Sequence, residues 1–280
     1  MPVIALTQGM GSLAQDVAEQ LAAELHLSTL QHEVGERVAD RMHISKSLIN
    51  RLREGKAGTL ERLKADRDSL AIYTAEEVLD AAVRGNVVLR GGGATQLLRR
   101  VPHVVCVRIA RPFEKRVQWL MDHLGSDERE VAEAEIRRSD QAHAARMNEL
   151  FGVTWLDPLL FDVVLNTDRL SVDACVAQIK QLVARPEFAE TPASSALLAG
   201  LAQQARVRSA LRADEATRNV DVTIESGAQA GRLRLRGVVV NSAERDAAVR
   251  VAAGVAGVTG VDNELRVMAP SRRFPSAGGS

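Results

Sequence analysis

The sequence predicts an α/β fold, a parallel sheet with helices on both faces, followed by a small α+β domain of α-β-β-α-β order. Three observations carry this. The stretch Val3–Leu25 reads as a buried strand, a glycine turn and an amphipathic helix. Three apolar runs, Asn86–Leu89, His103–Ile109 and Phe161–Leu165, then alternate with helical patterns, as buried parallel strands do. Beyond Ala184–Ser195, rich in proline, glutamate and small polar residues, strict apolar–polar alternation begins.

In the opening stretch, Val3–Leu6 is the strand and Gly9-Met10-Gly11-Ser12 the turn, while Leu13, Val17, Leu21 and Leu25 keep one helix face apolar. A helix entered from a glycine turn presents unpaired N–H groups and the positive end of its dipole, which together hold phosphates. The complete phosphate loop is G-x-x-x-x-G-K-[ST], whose lysine reaches the outer phosphates. Here Leu13 and Ala14 follow Gly11-Ser12, so that lysine is missing. A tight strand-to-helix connection without a ligand would look the same locally.

Leu30 to about Asp80 reads as helical, with amphipathic pieces at Glu33–Met42, Lys46–Glu54 and Thr59–Leu70. Ser45 is an N-cap for the second, and Thr74 with Glu77 forms a capping box for a helix Ala75–Arg84. After the run ending at Leu89 comes Arg90-Gly91-Gly92-Gly93. Pro112 to about Leu150 is a long helical stretch broken near Gly125-Ser126, and Val172–Leu182 is a further helix. In the last part, Leu197–Arg212 is helical and Val220–Ile224 alternates. Arg232–Val240 is its partner strand, with Arg232, Arg234 and Arg236 on one exposed face. Asn241-Ser242 caps a helix Ala243–Ala253, and Val258–Val267 is the last strand.

Composition narrows the function classes. Lys+Arg and Asp+Glu are 36 each, so no basic excess points to nucleic acid, and 3% aromatics argues against base-stacking platforms. Cys106 and Cys175 lie in apolar segments, and the six histidines show no i,i+4 pairing, so no metal site is expected. Without a signal-like N-terminus or a run of about 20 apolar residues, a cytoplasmic chain is expected. Arg137 and Arg138, beside Glu133 and Glu135, read on their own as a solvated charged helix face.

The order of motifs, from the glycine turn through VVLRGGGATQLL, VRIARPFEKRV and EIRRSDQAHAAR to WLDPLLFDVVLNTDRL, resembles the cytidylate kinase-like family of the nucleoside monophosphate kinase fold. The resemblance covers about the first two-thirds of the chain. It implies a P-loop core, a helical insert that binds a nucleoside monophosphate, and an arginine-bearing lid. By position, Arg116 matches the arginine after the strand, and Arg137, Arg138 and Asp140 match the lid. Trp155, Asp157 and Pro158 match a W-x-D-P segment, although Trp155 alone reads as packing. The departures concern charge. The family's Gly-Ser-Gly-Gly turn is Gly11-Ser12-Leu13-Ala14, and its Gly-Arg-Gly is Gly91-Gly92-Gly93, with Arg90 alongside. His143 stands where a lid arginine is expected, with Arg146 one turn further. Since one arginine finger is worth ~10³–10⁵ in rate, these losses imply weakened catalysis.

The last 70 or so residues, through Leu235-x-Gly237-x-Val239 and Gly257-Val258-x-x-Val261-x-Asn263-x-Leu265-x-Val267, resemble a BON domain. That resemblance implies a small binding module linked to phospholipid surfaces or envelope proteins, with Gly237 placed where a side chain would strike the overlying helix. The arginine row can meet anionic headgroups or, as a plain alternative, protect an edge strand.

The resulting expectation is a cytidylate kinase-like P-loop domain at 1–184, a linker at 185–196, a BON domain at 197–268 and a disordered tail at 269–280. The expected function is nucleotide or phosphate-ligand binding with kinase activity weak or absent, a pseudoenzyme. Phosphate contacts fall to Gly9, Gly11, Ser12, Arg90 and Gly92, and the catalytic positions are Arg116, Arg137, Arg138, Asp140 and Arg146. No cofactor is assigned beyond Mg and ATP if the domain is active. Partners are a phosphate-bearing small molecule and, through the BON domain, a protein or anionic lipid; no nucleic acid is expected, and homo-oligomerisation stays open. An active CMP/dCMP kinase using lid arginines, and a scaffold that binds no nucleotide, are the alternatives.

Overall fold

The computed structural model describes residues 1–268, apart from 31, 54–55, 57–65, 92, 126 and 228. Gly92, most of the Thr59–Leu70 piece and the 269–280 tail therefore lie largely or wholly outside the described residues. The chain forms two compact units, 1–205 and 206–280.

The first unit is built on a five-stranded, wholly parallel sheet of order β2-β3-β1-β4-β5. Its strands are β1 (Val3–Gln8), β2 (Ser28–Leu30), β3 (Val87–Arg90), β4 (Val104–Ala110) and β5 (Val163–Asn166). This is the α/β class the sequence predicts. Alternate residues of the central strands feed opposite cores. Ile4, Leu6, Val105 and Val107 pack on Val17 and Leu21 of α1 (Ala14–Leu25) and on Val176 and Ile179 of α8 (Val172–Val183). Val3, Ala5, Val104 and Cys106 face Val78 and Ala82 of α4 (Arg67–Arg84) and Leu98 of α5 (Ala94–Leu98). That face is completed by Leu198, Ala202 and Ala205 of α9 (Pro192–Ala213). α2 (His32–Met42) and α3 (Lys46–Arg53) form a small core with α4 through Val38, Ile49 and Tyr73. α6 (Phe113–Leu124) and α7 (Arg129–Phe151) form a hairpin joined at Gly125, whose φ of 61° caps α6.

Three local expectations change. Thr74 and Glu77 start no helix; α4 begins earlier, where the Asp66 side chain accepts a bond from the Ser69 N–H at 3.0 Å. Burial of Tyr73, Thr74 and Val78 keeps the helix continuous through the capping-box pattern. β2, which the sequence reading passed over, exists because Ser28–Leu30 pairs with Val87–Leu89. Residues 185–196 contain a 3₁₀ turn at Pro186–Phe188 and the first turn of α9, where Thr191 and Ser194 exchange side-chain-to-backbone bonds ahead of and within a helix that opens on Pro192.

The second unit holds a three-stranded sheet, β6 (Val222–Ser226), β7 (Arg232–Val239) and β8 (Gly260–Val267), with α10 (Ser242–Ala253) packed on it. Asn241 caps α10 by accepting from the Glu244 N–H at 2.8 Å. Gly237, with φ of 149°, is needed for a different reason from the expected one. An added Cβ would meet Asp221 and Val222 beside the neighbouring strand, at 3.3–3.4 Å, and not the helix. No helix among the described residues is long and apolar enough to cross a membrane.

Candidate functional site

The Gly9–Ser12 turn leaves the carboxyl end of β1, next to the ends of β3 and β4, the position where parallel α/β sheets bind ligands. The Ser12 N–H donates to the Gly9 carbonyl at 3.2 Å, and Gly11 has a φ of 75°. Leu13 also lies in the left-handed region, at 61°, directly before α1. The turn is braced from three sides. The Thr167 hydroxyl donates to the Ser12 carbonyl at 2.8 Å, while Arg111 and Arg116 reach the Gly11 and Met10 carbonyls, each at 3.4 Å. The glycines answer to this closeness: a Cβ on Gly9 would come within 2.8 Å of Arg116, and one on Gly11 within 3.0 Å of Trp119.

Beside the turn opens a cavity of about 290 Å³ whose lining includes Gly9, Ser12, Arg108, Arg111, Arg116, Asp140 and Trp155. Both carboxylate oxygens of Asp140 accept from Arg116, at 2.9 and 2.6 Å, so α7 holds the α6 arginine against the turn. Arg108, near the carboxyl end of β4, donates to the Trp155 carbonyl at 2.8 Å and lies 4.8 Å from that ring. Burial lowers the Arg108 pKa, partly offset by Asp140. His143 packs on the Trp155 ring at 4.3 Å, and burial, then Arg146 and Arg108, bring its pKa down to about 3. The Ser12 hydroxyl and the Nε atoms of Arg111 and Arg116 are buried without a partner among the described residues.

The structure brings together Gly9, Gly11, Ser12, Arg116 and Asp140. Arg137 and Arg138 do not line the cavity. Their i,i+4 and i,i+3 partners Glu133 and Glu135 hold them on the exposed side of α7, and Arg137 also stacks over Phe113 at 4.2 Å. Arg146 is near enough to His143 to lower its pKa but is not part of the lining. Arg90 ends β3 half-buried, its pKa lowered by burial against the pull of Glu19 and Asp16. Two lining cations were not singled out from sequence, Arg108 and Arg111. The signal for Arg108 was available, a lone charge inside the apolar run VVCVRIA.

The arginine row of the second unit has a different setting. β7 lies between β6 and β8, so the row protects no edge. Arg232 pairs with Asp262 at 2.5 Å, Arg234 with Glu264 at 3.1 Å, and Arg236 with Glu264 and Glu225 at 3.2 and 3.5 Å. The row is thus a cross-strand ladder of ion pairs.

A cytidylate kinase from Ignicoccus hospitalis is 28% identical over 187 residues, 65% of this chain and 99% of that protein. The crystal structure of an uncharacterized protein from Eubacterium ventriosum covers 66% of this chain and 100% of its own at 19% identity, with a TM-score of 0.52. A shikimate kinase from Bacteroides thetaiotaomicron covers 66% and 99% at 16% identity, with a TM-score of 0.42. Residues 201–269 match the BON domain. Residues 3–169 match the cytidylate kinase-like family model, more than half of the chain, and the chain belongs to that family.

Proposed function

We propose that the first unit binds the phosphate end of a nucleotide at the Gly9–Ser12 turn and that its phosphoryl transfer is slow. The observation carrying this reading is a cavity in which a glycine turn, a buried hydroxyl without a partner among the described residues and three arginines meet at the strand ends. Ser12 and the turn supply neutral donors, and Arg108, Arg111 and Arg116 supply charge; Arg90 ends the adjoining β3. Arg137, Arg138 and Arg146 would have to swing inward to touch a ligand. Slow transfer follows from the lining, which contains no lysine among the described residues. Electrostatic stabilisation of the transferring group is usually the largest catalytic contribution, several kcal/mol per donor.

Should transfer from ATP occur, the Ser12 hydroxyl, which lines the cavity and is buried without a partner among the described residues, would be the group to face magnesium. The metal would supply charge neutralisation between phosphates. The second reading, a working CMP/dCMP kinase, is favoured by the name of the Ignicoccus relative and by arginines reaching the turn where a lysine is missing. Either reading suits a cytoplasmic protein. The BON unit would act as an interaction module, for a protein in preference to a lipid surface, because its arginine row already has carboxylate partners.

Calorimetric titration of the full chain with ATP, ADP, CMP and dCMP, with and without magnesium, tests binding. Heat of binding to at least one is expected. A coupled assay giving about 1–100 s⁻¹, the ordinary kinase range, would establish the second reading, and no binding to any of them would leave the scaffold reading.

A further inference from the structure

Among the described residues, Asp140 is the one carboxylate in the cavity lining, and it stands at the turn itself. A Cβ built on Gly9 would come within 3.5 Å of its Oδ1, so that oxygen lies against the first residue of the turn. Its two oxygens accept from Nη1 and Nη2 of Arg116, at 2.9 and 2.6 Å, in the fork geometry that a guanidinium also gives to a phosphate. Little of Arg116 is left over. Its Nη1 also leans on the Met10 carbonyl at 3.4 Å, and its Nε is enclosed. The arginine is thus held at the turn in a bond with an anion of the chain's own. The setting explains the bond: three guanidinium groups beside the positive end of α1 repel one another, and a carboxylate among them offsets that. Of the two partners, the aspartate is the one able to leave. Its side chain is 28% exposed against 11% for Arg116, so turning outward returns the carboxylate to water while the guanidinium stays beside the turn.

We infer that Asp140 is an internal competitor: its carboxylate occupies the arginine that an anion at the Gly9–Ser12 turn needs, and a ligand binds there by displacing it. The inference rests on the reading of this turn as a phosphate site. It gives Asp140 the opposite sign from a positioning role. A group that only aims Arg116 at the ligand strengthens binding. A competitor weakens it, through the bond that has to be broken and through the repulsion between carboxylate and phosphate.

Calorimetry on the full chain, with CMP and with inorganic phosphate as probes, separates the two signs. Asp140→Asn keeps the shape and removes the charge, and should bind CMP at least about tenfold more tightly than wild type, the scale of one charge-assisted hydrogen bond. Asp140→Glu keeps the charge and should stay within about threefold of wild type. Glu130→Gln removes an exposed carboxylate from the first turn of the same helix, outside the cavity lining, and should change affinity less than about twofold. Asp140→Asn binding CMP no more tightly than wild type would overturn the inference and make Asp140 a positioning residue, with the turn still a phosphate site. A gain as large in Asp140→Glu or Glu130→Gln would overturn it too, since neither takes the charge off the arginine. Should neither wild type nor Asp140→Asn bind CMP or phosphate, the phosphate-site reading falls and takes this one with it. Should Asp140→Asn fail to fold, wild type decides by carboxyl-carbon NMR with isotope-labelled aspartate. The signal missing from Asp140→Glu identifies Asp140, and saturation with CMP should move it to the position of a solvent-exposed aspartate. A signal that stays in place at saturation rejects displacement.

Discussion

Two groups of arginines in this chain look alike in sequence and do different things in space. On β7, Arg232, Arg234 and Arg236 stand at every second residue, and each finds a carboxylate on β6 or β8. Around the glycine turn, Arg108, Arg111 and Arg116 come from a strand end, a loop and a helix, and only Arg116 has a carboxylate partner among the described residues. The ladder is exposed and charge-balanced, so it contributes little energy and offers little to an anion. The cavity is partly buried and unbalanced, so each of its charges weighs more. What separates binding charge from structural charge is therefore the count of partners per arginine and their burial, and not the density of arginines along the chain.

The sharpest way to probe this contrast is to remove the one compensated cavity arginine. Arg116→Ala strands a largely enclosed Asp140 and frees the space over Gly9, and should cost about 3 kcal/mol, the lower end for breaking a buried pair. Urea unfolding measures it, and a loss as small as that of an exposed pair would erase the distinction between the two groups.

Next in size is the pH response of His143. Its pKa is about 3 in the folded chain against 6.5 ordinarily, because of burial first and the neighbouring Arg146 and Arg108 second. Below about 6.5 the unfolded chain takes up a proton that the folded chain refuses, so this group destabilises the fold as pH falls, until about 3. Between neutral pH and about pH 5 the expected loss is about 2 kcal/mol, and His143→Phe should remove it. An unchanged pH slope in that variant would show that His143 titrates normally.

Gly11→Ala comes third. Its φ of 75° and the 3.0 Å approach to Trp119 predict a loss of about 1–2 kcal/mol, with nucleotide affinity falling as the turn shifts. Trp119 fluorescence on titration reports the second effect directly, with Trp155→Phe as the background that isolates it. Smallest of all is Arg234→Ala in the ladder, expected to cost under about 1 kcal/mol in thermal unfolding and to leave nucleotide binding untouched. A measurable change in affinity there would mean that the ladder takes part in ligand binding after all.

Much of the fold could be read directly because its signals are local. Val3–Leu6 followed by glycines and a Leu13–Val17–Leu21 stripe needs no distant partner to be recognised as strand, turn and helix. The alternation of Arg232–Val239 likewise declares one buried and one exposed face. β2 gave no such signal: three residues, Ser28-Thr29-Leu30, become a strand only because β3 lies alongside. Thr74 and Glu77 misled for the converse reason, a good start signal overridden by the burial of the helix around it. On α7, one part of the site was written in the spacing. Ile136, Asp140, His143 and Met147 recur on a single face, so Asp140 turns inward while Arg137 and Arg138, off that face, pair with glutamates outside.

Apart from β2, the order and type of the elements, the glycine turn at the end of β1 and the missing lysine after it are properties of the sequence by itself, since each depends on residues a few positions apart. Tertiary structure alone decided which arginine meets which carboxylate. Asp140 lies 24 residues from Arg116 and the Trp155 carbonyl 47 from Arg108, and side-chain charge has no period that would announce such pairs. Only the packing of α7 against the carboxyl end of the sheet matches Arg116 and leaves Arg108 unmatched, and with that it sets the charge the cavity has left for a ligand.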